Sequence, residues 1–210
     1  MDTGMAADTN ERRYVIHPAK FTLWLFIVSI ILFFGGLTSA FIVSKGIEME
    51  KDMWHFFELP SVLWLNTAIL VVSSVMIQVG LWGARKGDLR RARIGLTMAA
   101  VLGLIFLVGQ VIAWQMLDDE GVVWGKGGSN SGNYLYLLTF VHGLHIVAGM
   151  VFLGYVFVKL VLKKGDLTFD KGSRISLVAF ENAVTFWHFL GLLWLYLFIF
   201  LLMNQGDPMI

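Results

Sequence analysis

Five histidines and a few carboxylates carry whatever acid–base or metal chemistry this sequence holds. There is no cysteine, so thiolate metal sites, disulfides and cysteine nucleophiles are excluded. His142 and His145 stand three apart in NYLYLLTFVHGLHIVAG, and Glu181 and His188 stand seven apart in FENAVTFWHFLGLLWLYLFIF. Seven residues are nearly two helical turns, so Glu181 and His188 share a helix face, with Asn182 and Thr185 close by. His142 and His145 fall on adjacent positions of one face. Two imidazoles at that spacing suit a shared metal or a haem, but a zinc site wants about four ligands, often with one position open. Joining His142, His145, His188 and Glu181 would require their two segments to pack together. The Glu-x-x-His spacing of two-metal helical bundles is absent. His17 and His55 lie outside the apolar segments. Hydrogen bonding between helices is the plainer expectation for the other three. No nucleophile–base pair, glycine-rich phosphate loop or complete metal-ligand set emerges.

The elements that must hold these residues are membrane spans. Apolar residues make up 57% of the chain and charged ones 15%. A soluble domain is about 45–50% apolar and about 25% charged. A helix needs about 20 apolar residues to cross the bilayer core, and five stretches qualify: 21–43, 61–83, 94–117, 134–162 and 175–203. These predict an all-α bundle, with a polar tail over 1–20 and a short tail over 204–210. The N-terminal tail lacks the basic-then-apolar order of a signal peptide and is expected to be retained. The formal charge of +1 and the lack of basic runs interleaved with aromatics give no sign of nucleic-acid binding.

Lys and Arg set orientation. Arg12, Arg13, Lys20, Arg85, Lys86, Arg90, Arg91, Arg93, Lys159, Lys163, Lys164, Lys171 and Arg174 fall on one side, and only Lys45, Lys51 and Lys126 on the other. The N-terminus is therefore expected in the cytoplasm and the C-terminus outside. Trp54, Trp64, Trp82, Trp114 and Trp124 lie near span ends, where interfacial anchors sit. In the first span, Gly35 with Ser39 and Gly36 with Ala40 make small-xxx-small pairs, which predict a close helix-packing seam. Asn66, Ser73, Ser74, Gln78 and Gln110 are expected to bond across helices or to their own backbone.

Five motifs in order resemble subunit III of the haem-copper respiratory oxidases. They are KFTLWLFIVSIILFFGGLTSAF, LWLNTAILVVSS, RKGDLRRARIGLTMAAVLG, TFVHGLHIVAG and FENAVTFWHFLGLLWLYLFIF. The resemblance is nearly end to end, and His-Gly-Leu-His is its most specific local feature. It implies a subunit without a redox centre, the haems and copper residing in partner subunits. Such a subunit stabilises subunit I, contacts subunit II and other oxidase subunits, binds phospholipid and supports proton uptake, in a complex that reduces oxygen to water and pumps protons. His142, His145, Glu181, His188, Asn66 and Trp187 carry over as structural, lipid or subunit-contact positions. Two departures stand out. Where the family usually has Glu after Ser, this chain has Ile30 after Ser29. The chain also has five spans where mitochondrial-type members have seven. Five is typical of bacterial enzymes whose subunit I supplies the missing pair, which implies a bacterial cytoplasmic membrane. The electron donor, cytochrome c or quinol, and membership of a respiratory supercomplex are left open, as is a subunit-III-like role beside a nitric oxide reductase. A reading from another class is an independent small transporter or haem protein. Transporters usually show inverted repeats and broken helices, and neither is evident in the sequence.

Overall fold

The computed structural model describes residues 18–125, 129–162 and 174–206. Among them are five helices: α1 (Pro18–Met49), α2 (Val62–Arg85), α3 (Leu89–Asp119), α4 (Asn130–Leu162) and α5 (Arg174–Asn204). Each is long and apolar enough to cross a membrane. Bilayer core offers a backbone N–H no partner, which leaves helices as the available form for such segments.

Helix ends run past the apolar stretches where local chemistry permits. Pro18 opens α1, and a proline in the first turn loses no intrahelical bond. The α2–α3 turn uses Gly87 at φ 76°, and the Asp88 carboxylate then accepts from the Arg91 N–H at 3.0 Å. That cap starts α3 at Leu89, five residues before the apolar run. The α1–α2 connection folds inward: Trp54 and Phe57 are buried, and the Trp54 ring meets Phe41 edge-on at 5.3 Å. Trp54 is thus a core residue and not an interfacial anchor, whereas Trp64, Trp82 and Trp124 are more than half exposed.

The helices run alternately up and down. Lys20 at the start of α1 and Arg85 at the end of α2 both reach Glu181 near the start of α5. At the opposite end Lys45 of α1 bonds Asn204 of α5 at 3.1 Å, and Ser44 bonds Tyr134 of α4 at 3.0 Å. The backbone of α5 runs beside those of α1, α2 and α4, while the backbones of α1 and α2 do not run side by side among the described residues.

The tightest seam joins α2 to α3. A Cβ on Gly95 would stand 2.5 Å from the Gly80 Cα and 2.6 Å from the Met76 carbonyl oxygen, so position 95 needs glycine for the backbones to meet, while a Cβ on Gly80 would stand 3.1 Å from the Gly95 Cα. Gly109 gives the same room to Asn66. The first-span glycines do not serve this purpose within the chain. Gly35, Gly36 and Ser39 face outward, and a Cβ on either glycine meets nothing within 4 Å. Helix α1 instead packs through Ile27, Ile30, Phe34, Thr38 and Phe41. Bulk on that face leaves the small residues on the other.

Candidate functional site

The polar residues singled out by spacing divide into three groups stacked along α5. At the end shared with the α2–α3 turn, the Glu181 carboxylate accepts from Lys20 Nζ at 2.8 Å through one oxygen and from Arg85 at 3.0 Å through the other. A carboxylate beside two cations retains its charge more cheaply than one left alone in lipid. The arrangement ties α1 to α2 through α5. Thr185 donates to the Glu181 carbonyl at 2.9 Å and so serves its own helix. Asn182 is buried one position along.

Two turns further, on the same face, His188 Nε2 lies 3.0 Å from Gln78 Oε1 of α2. The shared face of Glu181 and His188 is thus the one turned toward α2. His188 also lines a lateral groove of about 570 Å³ between α2 and α5, whose walls include Thr67, Ser74, Trp82 and Leu195.

The middle of the bundle is organised by two tryptophans. Trp187 is buried and donates to Ser73 Oγ of α2 at 3.0 Å, and Ser73 in turn donates to the Ala99 carbonyl of α3. Its six-membered ring fills the space a Cβ would need at Gly103 of α3, at 2.6 Å, and lies 3.3 Å from that of Gly149 of α4. One side chain therefore fits α5 to three other helices. Trp194 donates to Thr67 of α2 at 3.0 Å, and its ring lies 5.0 Å from Phe106. Asn66 is buried, with its Nδ2 3.5 Å from the Phe106 carbonyl oxygen.

The histidines do not converge. His142 is fully buried, 5.4 Å from the Trp194 ring and 6.0 Å from Phe106. Neither of its nitrogens has a hydrogen-bond partner among the described residues. His145 turns the other way: its Nδ1 lies 2.8 Å from the Val141 carbonyl of its own helix, and its ring meets Phe34 of α1. Three residues advance a helix by about 300°, which leaves about 60° between the two rings, enough to send them to different neighbours. Helices α4 and α5 do pack together, yet no three His, Asp or Glu side chains gather around one point among the described residues. His17 lies outside those residues. Of the hydrogen bonding between helices expected for these three histidines, only His188 shows it, to Gln78; the three rings and the Glu181 carboxylate occupy four separate environments.

Several residues of this core were not singled out by sequence reasoning. Gly80, Gly95, Gly103 and Gly109 make the actual seams. Their signal was present, since Gly95, Ala99 and Gly103 recur every four residues in α3.

Comparison with known proteins then decides the family. The model of "Cytochrome c oxidase subunit III" matches residues 5–205. The chain belongs to the cytochrome c oxidase subunit III family. It is 30% identical over 179 residues to "Cytochrome c oxidase subunit 3" of Corynebacterium diphtheriae, covering 83% of this chain and 82% of that protein. With the protein of the same name from Thermostichus vulcanus it is 29% identical over 180 residues, 85% of this chain and 84% of the relative. With the Anopheles gambiae protein it is 30% identical over 185 residues, 83% of this chain but 65% of the relative. Within the family's motifs, His142, His145, Glu181 and His188 are interhelical and end-of-bundle residues. Ile30, where the resemblance expects Glu, is 3% exposed and packed in the core of α1's inner face.

Proposed function

We propose that this chain works as the non-catalytic subunit III of a proton-pumping cytochrome c oxidase in an aerobic respiratory chain. The observation that carries the reading is the family match over residues 5–205, across all five spans. The chain seats itself against subunit I, beside subunit II and the other subunits, and the haems and copper belong to those partners. It lies in the bacterial cytoplasmic membrane with the Lys20–Glu181–Arg85 end in the cytoplasm. That orientation is supported by the basic residues at this end, Lys86, Arg90, Arg91 and Lys159 among them, and by the acidic Glu48, Glu50, Asp52, Glu58, Asp118, Asp119 and Glu120 at the other. At the cytoplasmic end, Glu181 holds α1 and α2 at a fixed separation, which keeps the surface offered to subunit I and to structural phospholipid in shape and so supports proton uptake there.

The test is a mild-detergent pull-down of the tagged chain from its native membrane, with a reduced-minus-oxidised spectrum of the eluate. Co-elution of a larger polytopic subunit with haem bands and oxygen uptake driven by reduced cytochrome c is the expected result. A chain that elutes alone and colourless overturns the proposal, and turnover with quinol only overturns the choice of donor.

A further inference from the structure

Four aromatic rings line an open-sided cavity of about 400 Å³ at the acidic end of the α3–α4 pair: Trp114, Trp124, Tyr136 and Phe140. The rings stand at angles to one another. Trp114 and Tyr136 centroids are 6.4 Å apart, Trp114 and Phe140 6.1 Å, and Trp124 meets Tyr136 edge-on at 5.7 Å. In an ordinary interfacial belt the polar tip of Trp or Tyr points to water and headgroups. Here the tips of Trp114 and Tyr136 are turned inward. Trp114 Nε1 donates to Thr139 at 3.0 Å, and the Tyr136 hydroxyl lies 2.8 Å from the Val122 carbonyl oxygen and 3.1 Å from that of Trp114. What these two residues offer the cavity is ring carbon.

The loop that carries Trp124 is fixed by its own bonds. Gly121 turns it at φ 84°, Val122 N–H donates to the Leu117 carbonyl at 2.9 Å, and Gly125 N–H donates to Asn133 Oδ1 at 2.7 Å. Rings held this way present a preformed negative π surface, which attracts a cation, most strongly over Trp. Asp118 adds a formal charge. It is exposed one turn beyond Trp114 on the same helix face, within Coulombic range of Tyr136.

Beneath the cavity, exposed apolar side chains continue toward the bilayer centre. On α4 they are Phe140, Leu144, Val147 and Val151, and on α3 Ile112 and Ile105 flank them. The spacing of the α4 set is one helical face. A cation cage at the membrane edge, opening onto an apolar track, has the shape of one phospholipid. We infer that this cavity binds the alkylammonium headgroup of a phospholipid, with the acyl chains along the α3–α4 face. The site is separate from Glu181 and His188, and it rests on the membrane embedding of the chain and not on the oxidase assembly.

The experiment uses the full chain in neutral maltoside detergent, loaded with equimolar phosphatidylcholine and phosphatidylglycerol of identical acyl chains. Native mass spectrometry reads the retained adducts. Wild type is expected to favour phosphatidylcholine about fivefold, which is about 1 kcal/mol at 1.4 kcal/mol per tenfold. Trp124→Leu with Phe140→Leu should bring the ratio near one; both side chains are already exposed, and circular dichroism checks the fold. Asp118→Asn, which leaves the rings intact, should lower the ratio about twofold. A phosphatidyl-3,3-dimethylbutanol probe, the uncharged isostere, should show no preference. A ratio near one in wild type overturns the inference, as does an isostere retained as well as phosphatidylcholine or a preference that survives the double substitution.

Discussion

Glu181 joins two helices whose backbones do not run side by side among the described residues, so its contribution can be isolated by a double-mutant cycle with Lys20. Glu181→Gln preserves shape and removes charge, and Lys20→Met does the same on α1. Lys20 is 42% exposed and Arg85 51%, so each bridge is screened and ranks with surface pairs, at about 0.2–1 kcal/mol. Glu181 is only 21% exposed and accepts from both cations, which places each bridge toward the upper half of that range. Glu181→Gln should therefore cost about 1–1.5 kcal/mol, and the Lys20–Glu181 coupling should be about 0.5–1 kcal/mol. The assay is unfolding of the full chain in mixed micelles of maltoside and dodecyl sulfate, followed by circular dichroism. The coupling should shrink as salt is raised, because both cations are open to solvent. A coupling of zero, insensitive to salt, would refute the reasoning. It would mean that α1 is held by its buried face and by its bonds at the opposite end, and that the ion triad is merely a solvated array.

The two kinds of glycine should separate cleanly. Gly95→Leu meets backbone of α2 that cannot yield, and should cost about 3 kcal/mol or more in the same unfolding assay. Gly36→Leu meets open space and should leave the isolated chain within about 0.5 kcal/mol of wild type. It should still lower co-purification with partner subunits if α1's outward small residues form an assembly seam; unchanged recovery would remove that seam. Trp187→Ala empties the junction of α2, α3, α4 and α5 and strips Ser73 of a partner, a loss of about 3–5 kcal/mol. A loss under 1 kcal/mol would show that the junction collapses around the gap. Ile30→Glu buries a carboxylate and should destabilise the chain by about 3 kcal/mol at neutral pH, read by the same titration.

Number and approximate extent of the spans were legible because hydropathy and length suffice for both. Each span of the sequence reading falls almost entirely within its helix; only Ser61 lies outside, and α1 runs six residues beyond Val43. Which face of each span turns inward was not legible. In lipid, the core and the outside are equally apolar, so an amphipathic stripe gives no direction. That ambiguity misplaced the seam: Gly35 and Gly36 face outward, while Gly95 and Gly109 meet α2. Polar residues carried better information, because an unpaired polar group is costly anywhere in the bilayer. The seven-residue spacing of Glu181 and His188 correctly put both on one face, and Gln78 and Arg85 of α2 receive them. The three-residue spacing of His142 and His145 did not tell their partners: about 60° of rotation separates them, and neither makes the expected hydrogen bond to another helix among the described residues.

Ile30 shows what the fold requires of an acid in this family. Position 30 points into the core beside Ile27 and Phe34, about 15 Å along α1 from Lys20 at 1.5 Å per residue. Lys20 and Arg85 are already engaged by Glu181. A carboxylate at position 30 would thus have neither a nearby cation nor solvent, and an unpaired buried charge is the costly case. Isoleucine there gains packing and leaves Glu181 as the acid that the bundle has provided with partners. The interior contributes imidazoles and indoles that join helices, each bonded to its own neighbour or enclosed by rings.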